Sequence, residues 1–342
     1  MNIWSDGTVT LNIETDSVRF LTTRGREVED WGSMPLAPGL VKDGLILEPA
    51  TVSSIIDDLF RSKKLPRNKV IASLSGWRSI FRILSLPKMK RTLINEAIRR
   101  EAKREIPVPL EELYLTWQAL SSKYSEQQFF VLGVPRNLLD AEVQTLQQSG
   151  IKPYIMELKP LALARVVNER QAIVINLGSG GNDIIIIVNS MPAIMRTIIL
   201  RSEEGSSEDR IERLAQEISR TVRFYNNSNR ENPLESTTPL FVTGELATDA
   251  AIAELVREQV DYPIKPLTLV LKCPTDLPLP QYAVNVGLAL KQISQGKSSK
   301  DDPTHSSVIN LNVLPDNRDK SHWRPRKTLG LFRKRRPDPS SK

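Results

Sequence analysis

Cysteine and histidine are nearly absent from this chain of 342 residues. The single cysteine, Cys273, excludes an internal disulfide, and the two histidines, His305 and His322, both lie among the last forty residues. Protein zinc sites are built mainly from cysteine and histidine, and the common hydrolase triads need a histidine base. The sequence therefore predicts no metal site and no catalytic residues of these kinds.

Long apolar runs are also missing. No stretch approaches the roughly 18 uncharged apolar residues that are typical of a membrane-spanning helix, and residues 1–7 lack the basic and apolar parts of a signal peptide. We expect neither element. A composition of 40% hydrophobic and 25% charged residues is ordinary for a soluble protein, and the length suffices for two lobes with cores.

The positive charge is confined to one end of the chain. Residues 296–342 contain 12 Lys or Arg against 5 Asp or Glu, which equals the whole formal net charge of +7. The remainder of the chain is neutral. The charge therefore gives no reason to expect the folded body to bind nucleic acid.

Two segments share one design: an apolar strand, a tight polar or glycine-containing turn and a second apolar strand. They span residues 9–20 and 173–186. Further strand and helix patterns follow each one, with helices predicted near 52–60 and 207–226 and strands at 70–74 and 240–242. An α/β chain whose halves each open in this way has the layout of the actin and sugar-kinase superfold, a duplicated ribonuclease H-like fold of two lobes. There the two turns face each other across a cleft, and backbone N–H groups can hold nucleotide phosphates. The alternative for either segment alone is an ordinary hairpin.

The predicted organisation has four parts. The first lobe comprises residues 1–79 and 159–172, an inserted α+β subdomain comprises 80–158, and the second lobe comprises 173–295. The second lobe also contains predicted helices near 249–259 and 282–293. Residues 296–342 form a flexible basic tail, which begins with a linker composition rich in serine, lysine and aspartate.

Short motifs in and around the insert resemble the PilM family of type IV pilus assembly, which is itself similar to the cell-division protein FtsA. They lie at 86–89, 101–112, 134–138, 146–153 and 157–163. The resemblance covers residues 1 to about 295. It implies an FtsA-type insert, a cytoplasmic location at the inner face of the membrane, and nucleotide held between the lobes. It also implies recruitment by the inner-membrane protein PilN and the pilus ATPase as a possible further partner.

The chain departs from this family where nucleotide should be held. Asn12 and Glu14 stand in the first turn where the family pattern is Asp-Ile-Gly, Asn176 replaces the aspartate of the second turn, and Glu245 follows Gly244 in place of a second glycine. The predicted degenerate cleft comprises Asn12, Glu14, Thr15, Asp16, Ser17, Asn176, Gly178, Ser179, Gly180, Gly181, Asn182, Gly244 and Glu245.

These substitutions weaken the expected chemistry. A carboxylate about 4 Å from a phosphate charge opposes binding by ~1 kcal/mol in water and ~4 kcal/mol at an effective dielectric near 20. Phosphoryl transfer also needs positioned Mg²⁺. We therefore predict that ATP and Mg²⁺ bind weakly or not at all and that the protein acts by binding. Asp16 and Asp183 are alternative carboxylates for the lost aspartates, or ordinary turn residues.

The tail contains a second resemblance. Residues 309–315 are similar to the Ile-Asn-Leu-Leu-Pro signature of PilN, interrupted here by Asn312 and Val313. In PilN this signature docks on PilM, which implies a docking motif that could fold back onto the body, in a groove between the first lobe and the insert. Its predicted members are Ile309, Asn310, Leu311, Leu314 and Pro315. The alternative is an apolar run without a role.

Cations and apolar residues interleave at the end of the chain. This pattern predicts attraction to an anionic membrane surface. The predicted contacts are Trp323, Arg324, Arg326, Lys327, Arg333, Lys334, Arg335 and Arg336.

Two other functions remain open on the sequence. One is an active ATPase whose cleft tolerates the substitutions. The other is an FtsA-like protein that polymerises beneath the membrane, with the tail as its anchor.

Overall fold

The computed structural model describes residues 7–120, 126–199, 207–248, 256, 260–268, 270–295 and 309–314. The strands are β1 (Gly7–Ile13), β2 (Ser17–Arg24), β3 (Glu27–Pro35), β4 (Val41–Lys42), β5 (Leu45–Ile46), β6 (Val70–Leu74), β7 (Ile80–Pro87), β8 (Leu113–Ala119), β9 (Glu126–Pro135), β10 (Pro153–Leu158), β11 (Gln171–Leu177), β12 (Asn182–Val188), β13 (Met191–Ile198) and β14 (Leu240–Thr243). The helices are α1 (Pro49–Ser62), α2 (Arg91–Glu105), α3 (Arg136–Gln148), α4 (Lys159–Val167), α5 (Ser207–Ser228) and α6 (Leu279–Gln295). The predicted helix near 249–259 lies almost wholly outside the described residues.

The first lobe is built on a five-stranded sheet in the order β10-β6-β1-β2-β3. The predicted hairpin forms its centre, with β1 antiparallel to β2 and parallel to β6. Helix α1 begins with Pro49, whose missing N–H suits the first turn of a helix, and it buries Val52, Ile56, Leu59 and Phe60. The spacing of these apolar residues places them on one face, which covers the sheet.

The inserted subdomain has its own three-stranded sheet, in the order β7-β9-β8. Helix α2 covers it through Ile94, Ile98 and Ala102. The predicted boundary of the insert at residue 158 differs from this pairing, because β10 lies parallel to β6 in the sheet of the first lobe. Its apolar residues Ile155 and Met156 are buried there, so β10 is the edge strand of the first lobe.

The second lobe repeats the design of the first with a four-stranded sheet in the order β13-β12-β11-β14. The second hairpin is again antiparallel, and β14 is parallel to β11 as β6 is to β1. The two sheets thus have equivalent cores, although their sequences share little.

Helix α6 joins the two lobes. It packs against α4 and against β1, β2 and β14. Its buried Asn285 donates hydrogen bonds to the carbonyls of Thr10 and Arg19 in the first hairpin, at 3.3 and 3.2 Å. Within the described residues, no helix is long and apolar enough to cross a membrane.

Candidate functional site

The two hairpin turns meet between the lobes. Thr15, in the turn between β1 and β2, lies so close to Gly180, in the turn between β11 and β12, that a Cβ on Gly180 would overlap the Thr15 hydroxyl. The structure thus brings together the two turns that the sequence assigns to one cleft. We call the space bounded by these turns, Lys159 and Asp183 the interlobe cleft.

A lysine neutralises the first turn of the interlobe cleft. Lys159, at the start of α4, places its Nζ 2.9 Å from Glu14 Oε2 and donates to the carbonyl of Ile13 at 3.0 Å. The Asn12 amide donates to Glu14 Oε1 at 2.9 Å and accepts from the Ser73 hydroxyl at 2.6 Å. The side-chain groups that replace the usual aspartate and glycine are therefore already paired with each other and with Lys159.

The polar side chains of the second turn are also hydrogen-bonded to neighbouring side chains. Asn176 donates to Asp183 Oδ2 at 3.1 Å and accepts from the Thr243 hydroxyl at 3.2 Å. Thr197 donates to Asp183 Oδ1 at 2.6 Å. Burial raises the pKa of Asp183 although these hydrogen bonds and Lys159 oppose the shift. Asp183 is thus a buried carboxyl at the cleft rather than an exposed turn residue.

A third set of contacts links the first turn to the far side of the cleft. Arg19 donates to Glu245 Oε2 at 2.7 Å, and the carboxyl group of Asp16 lies near enough to Glu245 to affect its pKa. Burial opposes ionisation of Asp16, but hydrogen bonds with Ser179, Glu245 and Ser17 outweigh it and lower its pKa. Burial and the neighbouring Asp16 carboxyl raise the pKa of Glu245. The ion pair between Arg19 and Glu245 joins the lobes here.

The remaining predicted cleft residues hold the second turn in shape. Gly244 has a φ of +95°, and a Cβ there would overlap the backbone of Leu177, so only glycine fits. Gly178 approaches the carbonyl of Gly181, and Asn182 is buried where it pairs with Leu177 in the hairpin. These residues shape the turn.

The space left in the interlobe cleft is small. The cavity measures about 20 Å³, which is room for one or two water molecules. No group of three or more histidine, cysteine, aspartate or glutamate side chains with metal-binding geometry occurs in the described parts of the chain. The closed cleft is a set of paired charges around a water-sized cavity.

A second site lies beside β10, where residues 309–314, here called the tail segment, run along the edge of the first sheet. Its side chains alternate: Ile309, Leu311 and Val313 are buried, and Asn312 is exposed. The buried three join the core of the first lobe together with Phe130, Leu132, Met156 and Leu158. We call the surface that receives them the tail groove.

Main-chain contacts fix the tail segment along β10. The amide of Val313 donates to the carbonyl of Met156 at 2.9 Å. Asn312 Oδ1 accepts from the amides of Met156 and Leu314, both at 3.1 Å. Asn312, which interrupts the signature seen in the sequence, therefore links the tail to the edge strand together with Val313.

The insert supplies the other wall of the tail groove. Gln118 Oε1 accepts from the amide of Asn310 at 2.6 Å, and the Thr116 hydroxyl donates to the carbonyl of Asn312 at 3.4 Å. Both residues belong to β8. The tail segment thus lies between the first lobe and the insert.

The floor of the tail groove carries three buried charges, here called the buried triad. Arg165 forms a bidentate pair with Glu157 at 2.6 and 2.7 Å, and Lys291 Nζ lies 2.7 Å from the same carboxylate. Arg165 also donates to the carbonyl of Ile309 at 2.9 Å, and Lys291 donates to that of Leu311. Because two cations share one carboxylate, some of their N–H donors have no acceptor on Glu157. The carbonyl groups of the tail segment accept from these donors.

Burial and the neighbouring charges shift the pKa values of the buried triad. Burial lowers the pKa of Lys291 to about 8, although Glu157 opposes the shift. Burial disfavours the charged form of Glu157, but Arg165 and Lys291 outweigh it and lower its pKa. The carboxylate therefore stays ionised beneath the tail segment.

Sequence reasoning missed the residues that complete both sites, namely Lys159 in the cleft and the buried triad in the groove. One signal was present: Glu157, Lys159 and Arg165 interrupt an otherwise apolar run, and Lys291 interrupts an apolar helix. Isolated charges in apolar segments are typical of buried pairs. Of the predicted docking residues, Ile309, Asn310, Leu311 and Leu314 lie in the described tail segment. Pro315 and all predicted membrane contacts lie outside the described residues.

Several solved structures are similar to this chain, and the first of them supports the fold. A PilM-PilN type IV pilus biogenesis complex matches with a TM-score of 0.70 and 20% identity over 84% of this chain and 98% of that chain. The ethanolamine utilization protein EutJ from Carboxydothermus hydrogenoformans matches at 0.48, with 14% identity over 83% and 89% of the two chains. The cytoplasmic domain of EpsL, from the type II secretion system of Vibrio cholerae, matches at 0.48, with 13% identity over 91% and 98%. The predicted actin-like, two-lobed fold is confirmed.

The family model described as Type IV pilus assembly protein PilM matches residues 12–205, which is more than half of the chain. No curated protein sequence matches.

Proposed function

This chain belongs to the PilM family of type IV pilus assembly proteins, and from that premise we propose that it is an assembly scaffold that binds an extended peptide from a PilN-like inner-membrane protein. The scaffold works by binding rather than by nucleotide turnover. The tail groove is the peptide site, and the interlobe cleft is a degenerate nucleotide site.

The observation that carries this proposal is the way in which the buried triad meets a peptide backbone. Arg165 and Lys291 each donate to a carbonyl of an extended segment, and β10 offers the backbone groups of Met156 alongside. An exposed sheet edge with pockets for alternate side chains is a common way to bind an extended peptide. The groove therefore suits a partner with apolar residues at every second position.

PilN-like proteins fit this requirement on two grounds. The solved structure with a TM-score of 0.70 is a PilM-PilN complex, and the tail segment that fills the groove resembles the PilN signature. Binding such a partner would hold the protein at the inner face of the cell membrane. The basic end of the chain, from Trp323 to Arg336, is a proposed second contact with anionic lipid, and the pilus ATPase is a proposed further partner.

The interlobe cleft supports the proposed lack of turnover. Glu14 occupies the turn where phosphate would lie, and Lys159, the cation that could attract phosphate, is paired with it at 2.9 Å. Asn12 and Asn176 supply no carboxylate to orient Mg²⁺. If ATP does bind, Lys159 is the side chain that would meet its phosphates. Calorimetry should show no MgATP binding in the micromolar range, and hydrolysis that Asn176→Ala abolishes would contradict this part of the proposal.

Peptide binding is the direct test. A fluorescent peptide carrying Ile-Asn-Leu-Leu-Pro should bind the full chain saturably and should be released by unlabelled peptide. Gln118→Lys, which removes the acceptor for a peptide amide and adds bulk to the groove wall, should weaken binding, whereas Gln128→Lys, at an exposed position of β9, should not. Equal binding by both variants would place the peptide elsewhere.

A further inference from the structure

The occupant of the tail groove is part of this chain, and it covers the donors that a partner would need. The tail segment accepts from both cations of the buried triad and pairs with Met156 on the edge strand. A partner peptide cannot make the same contacts while the segment is in place. Because these contacts involve mainly backbone atoms, any extended segment with matching side chains can exchange for it.

We propose that the tail segment is an intramolecular competitor that keeps the groove closed until a PilN-like peptide displaces it. This inference rests on the proposed function, since it concerns access to the same groove. In the absence of a partner, the groove is therefore occupied by the tail segment of the same molecule.

The chain geometry favours occupation by the same molecule. Lys291, which contacts Leu311, lies one helical turn before the end of α6 at Gln295. Residues 296–308 link that end to the tail segment, and a stretch of 13 residues can reach at most about 45 Å. The distance to be bridged is short, because the end of α6 and the segment meet at Lys291. A tether of this length gives an effective concentration in the millimolar range.

The size of the competition follows from that concentration. If the untethered segment bound with a dissociation constant of about 100 μM, a local concentration of about 1 mM would fill about nine-tenths of the grooves. The apparent affinity for an added peptide then falls about tenfold. Freeing the groove should therefore raise the affinity at least tenfold.

The charges also favour an occupied groove. Buried donors without acceptors cost about 1–3 kcal/mol each, and Arg165 and Lys291 both use tail carbonyls as acceptors. Asn312 adds one bond to the groove, from the Met156 amide, and one within the tail, from the Leu314 amide; the uninterrupted Ile-Asn-Leu-Leu-Pro signature lacks both at this position. The tail segment is thus fitted to this groove by its own sequence.

The test compares three full-length proteins: the wild type, Leu311→Asp with Val313→Asp, and Ser306→Asp with Ser307→Asp. The first pair of substitutions places carboxylates at the two buried tail positions. The second adds the same charge to the linker and leaves the buried positions intact. Each is titrated with fluorescent Ile-Asn-Leu-Leu-Pro peptide, and hydrogen exchange of the Val313 amide, or of its equivalent position, is measured without peptide.

We expect the variant with Leu311→Asp and Val313→Asp to bind the peptide at least tenfold more tightly than the wild type, with the linker variant like the wild type. Exchange at position 313 should be slow in the wild type and fast in the variant. Equal peptide affinity in all three proteins would overturn the competition and leave the proposed function intact. Absence of peptide binding in all three would refute peptide binding by the groove, and the competition with it.

Sedimentation shows whether the tail segment in the groove belongs to the same molecule or to a second copy. A wild-type protein that stays monomeric from 1 to about 50 μM while position 313 is protected supports docking within one molecule. Protection that appears only with dimer formation would show that the tail docks on a second copy and would overturn the proposal.

Discussion

The interlobe cleft and the tail groove both hold buried charges, but in opposite proportions. In the cleft, Lys159 faces Glu14, and two further carboxyl groups, Asp183 and Glu142, are close enough for their pKa values to respond to it. In the groove, Arg165 and Lys291 share the single carboxylate of Glu157. In the described part of the chain, Lys159 in the cleft is already paired with Glu14, whereas the two cations of the groove have donors left for carbonyl groups.

This difference in charge pairing indicates which of the two sites can still bind a ligand. A charge that is already paired gains little from a ligand, because the existing partner must first be displaced. A buried cation that shares its counter-ion gains from every added acceptor. Although Glu157 and Lys159 are only two residues apart, they belong to sites with opposite tendencies.

The largest expected effect comes from removing the anion of the groove. Glu157→Gln leaves Arg165 and Lys291 buried without a counter-ion, so the free energy of unfolding should fall by about 3–5 kcal/mol. Urea denaturation followed by circular dichroism measures it, with Glu126→Gln, at an exposed position of β9, as the control. A loss below about 1 kcal/mol would mean that the two cations do not depend on Glu157, and the contrast between the sites would fail.

The next effect concerns the excess of carboxyl groups near the cleft. Burial raises the pKa of Glu142 from 4.5 to about 8, with Lys159 opposing and Glu14 adding to the shift. Between these values the unfolded chain loses the proton and the folded chain keeps it, so the wild type loses stability as the pH rises through this window. Glu142→Gln removes this pH-dependent loss of stability, because a glutamine side chain does not titrate.

The expected gain in the free energy of unfolding for Glu142→Gln is therefore near zero at pH 4.5 and about 4 kcal/mol near pH 8. Urea denaturation at both pH values measures it, with Glu126→Gln, at an exposed position, as the control. A gain that is the same at both pH values would rule out a protonated Glu142 in the folded protein.

A smaller effect should come from unpairing the cleft lysine. Glu14→Gly removes the carboxylate and lets the backbone approach a phosphate, so the affinity for MgATP should rise about tenfold, equivalent to about 1.4 kcal/mol. A fluorescent ATP analogue measures the dissociation constant. Glu14→Gln removes the charge but keeps the size of the side chain. If its dissociation constant matches that of Glu14→Gly, charge alone excludes nucleotide. No gain with either variant would mean that the ion pair is not what closes the cleft.

The smallest effect tests one wall of the groove. Gln118→Ala removes the acceptor of the Asn310 amide, a bond typically worth about 0.5–1.5 kcal/mol. Hydrogen exchange at Asn310 should therefore be about 2 to 12 times faster if the tail opens before it exchanges. Gln128→Ala on β9 is the control. If Gln118→Ala changes nothing, the insert contributes shape but no affinity.

The repeated hairpins, the helices that cover them and the order of the two lobes follow from local patterns, so the sequence predicts them well. In residues 173–186, β-branched residues lie on both sides of a glycine-rich turn, which predicts a hairpin. The apolar spacing of 52–60 fits only a helix. These signals involve neighbours within one element. They require no knowledge of what lies across the molecule.

Pairings between distant residues were not predictable in the same way. Glu14 and Lys159 belong to different elements, and Glu157 meets Lys291 only because α6 packs against α4. The place of β10 in the first sheet depends on its parallel pairing with β6, which carries no turn signal. Local patterns identify charged residues in apolar runs, but only the assembled fold shows which charge meets which.

Strand β10 ends the first sheet, and the tail segment lies against it at Met156. A bare, apolar strand edge is a template on which other chains can add strands and aggregate. The segment that closes the groove is therefore also a protective cover, and a molecule that has released it needs a partner to protect the edge. Solubility and partner availability are thereby coupled: cells that make this protein without its partner would depend on its tail to keep it from precipitating.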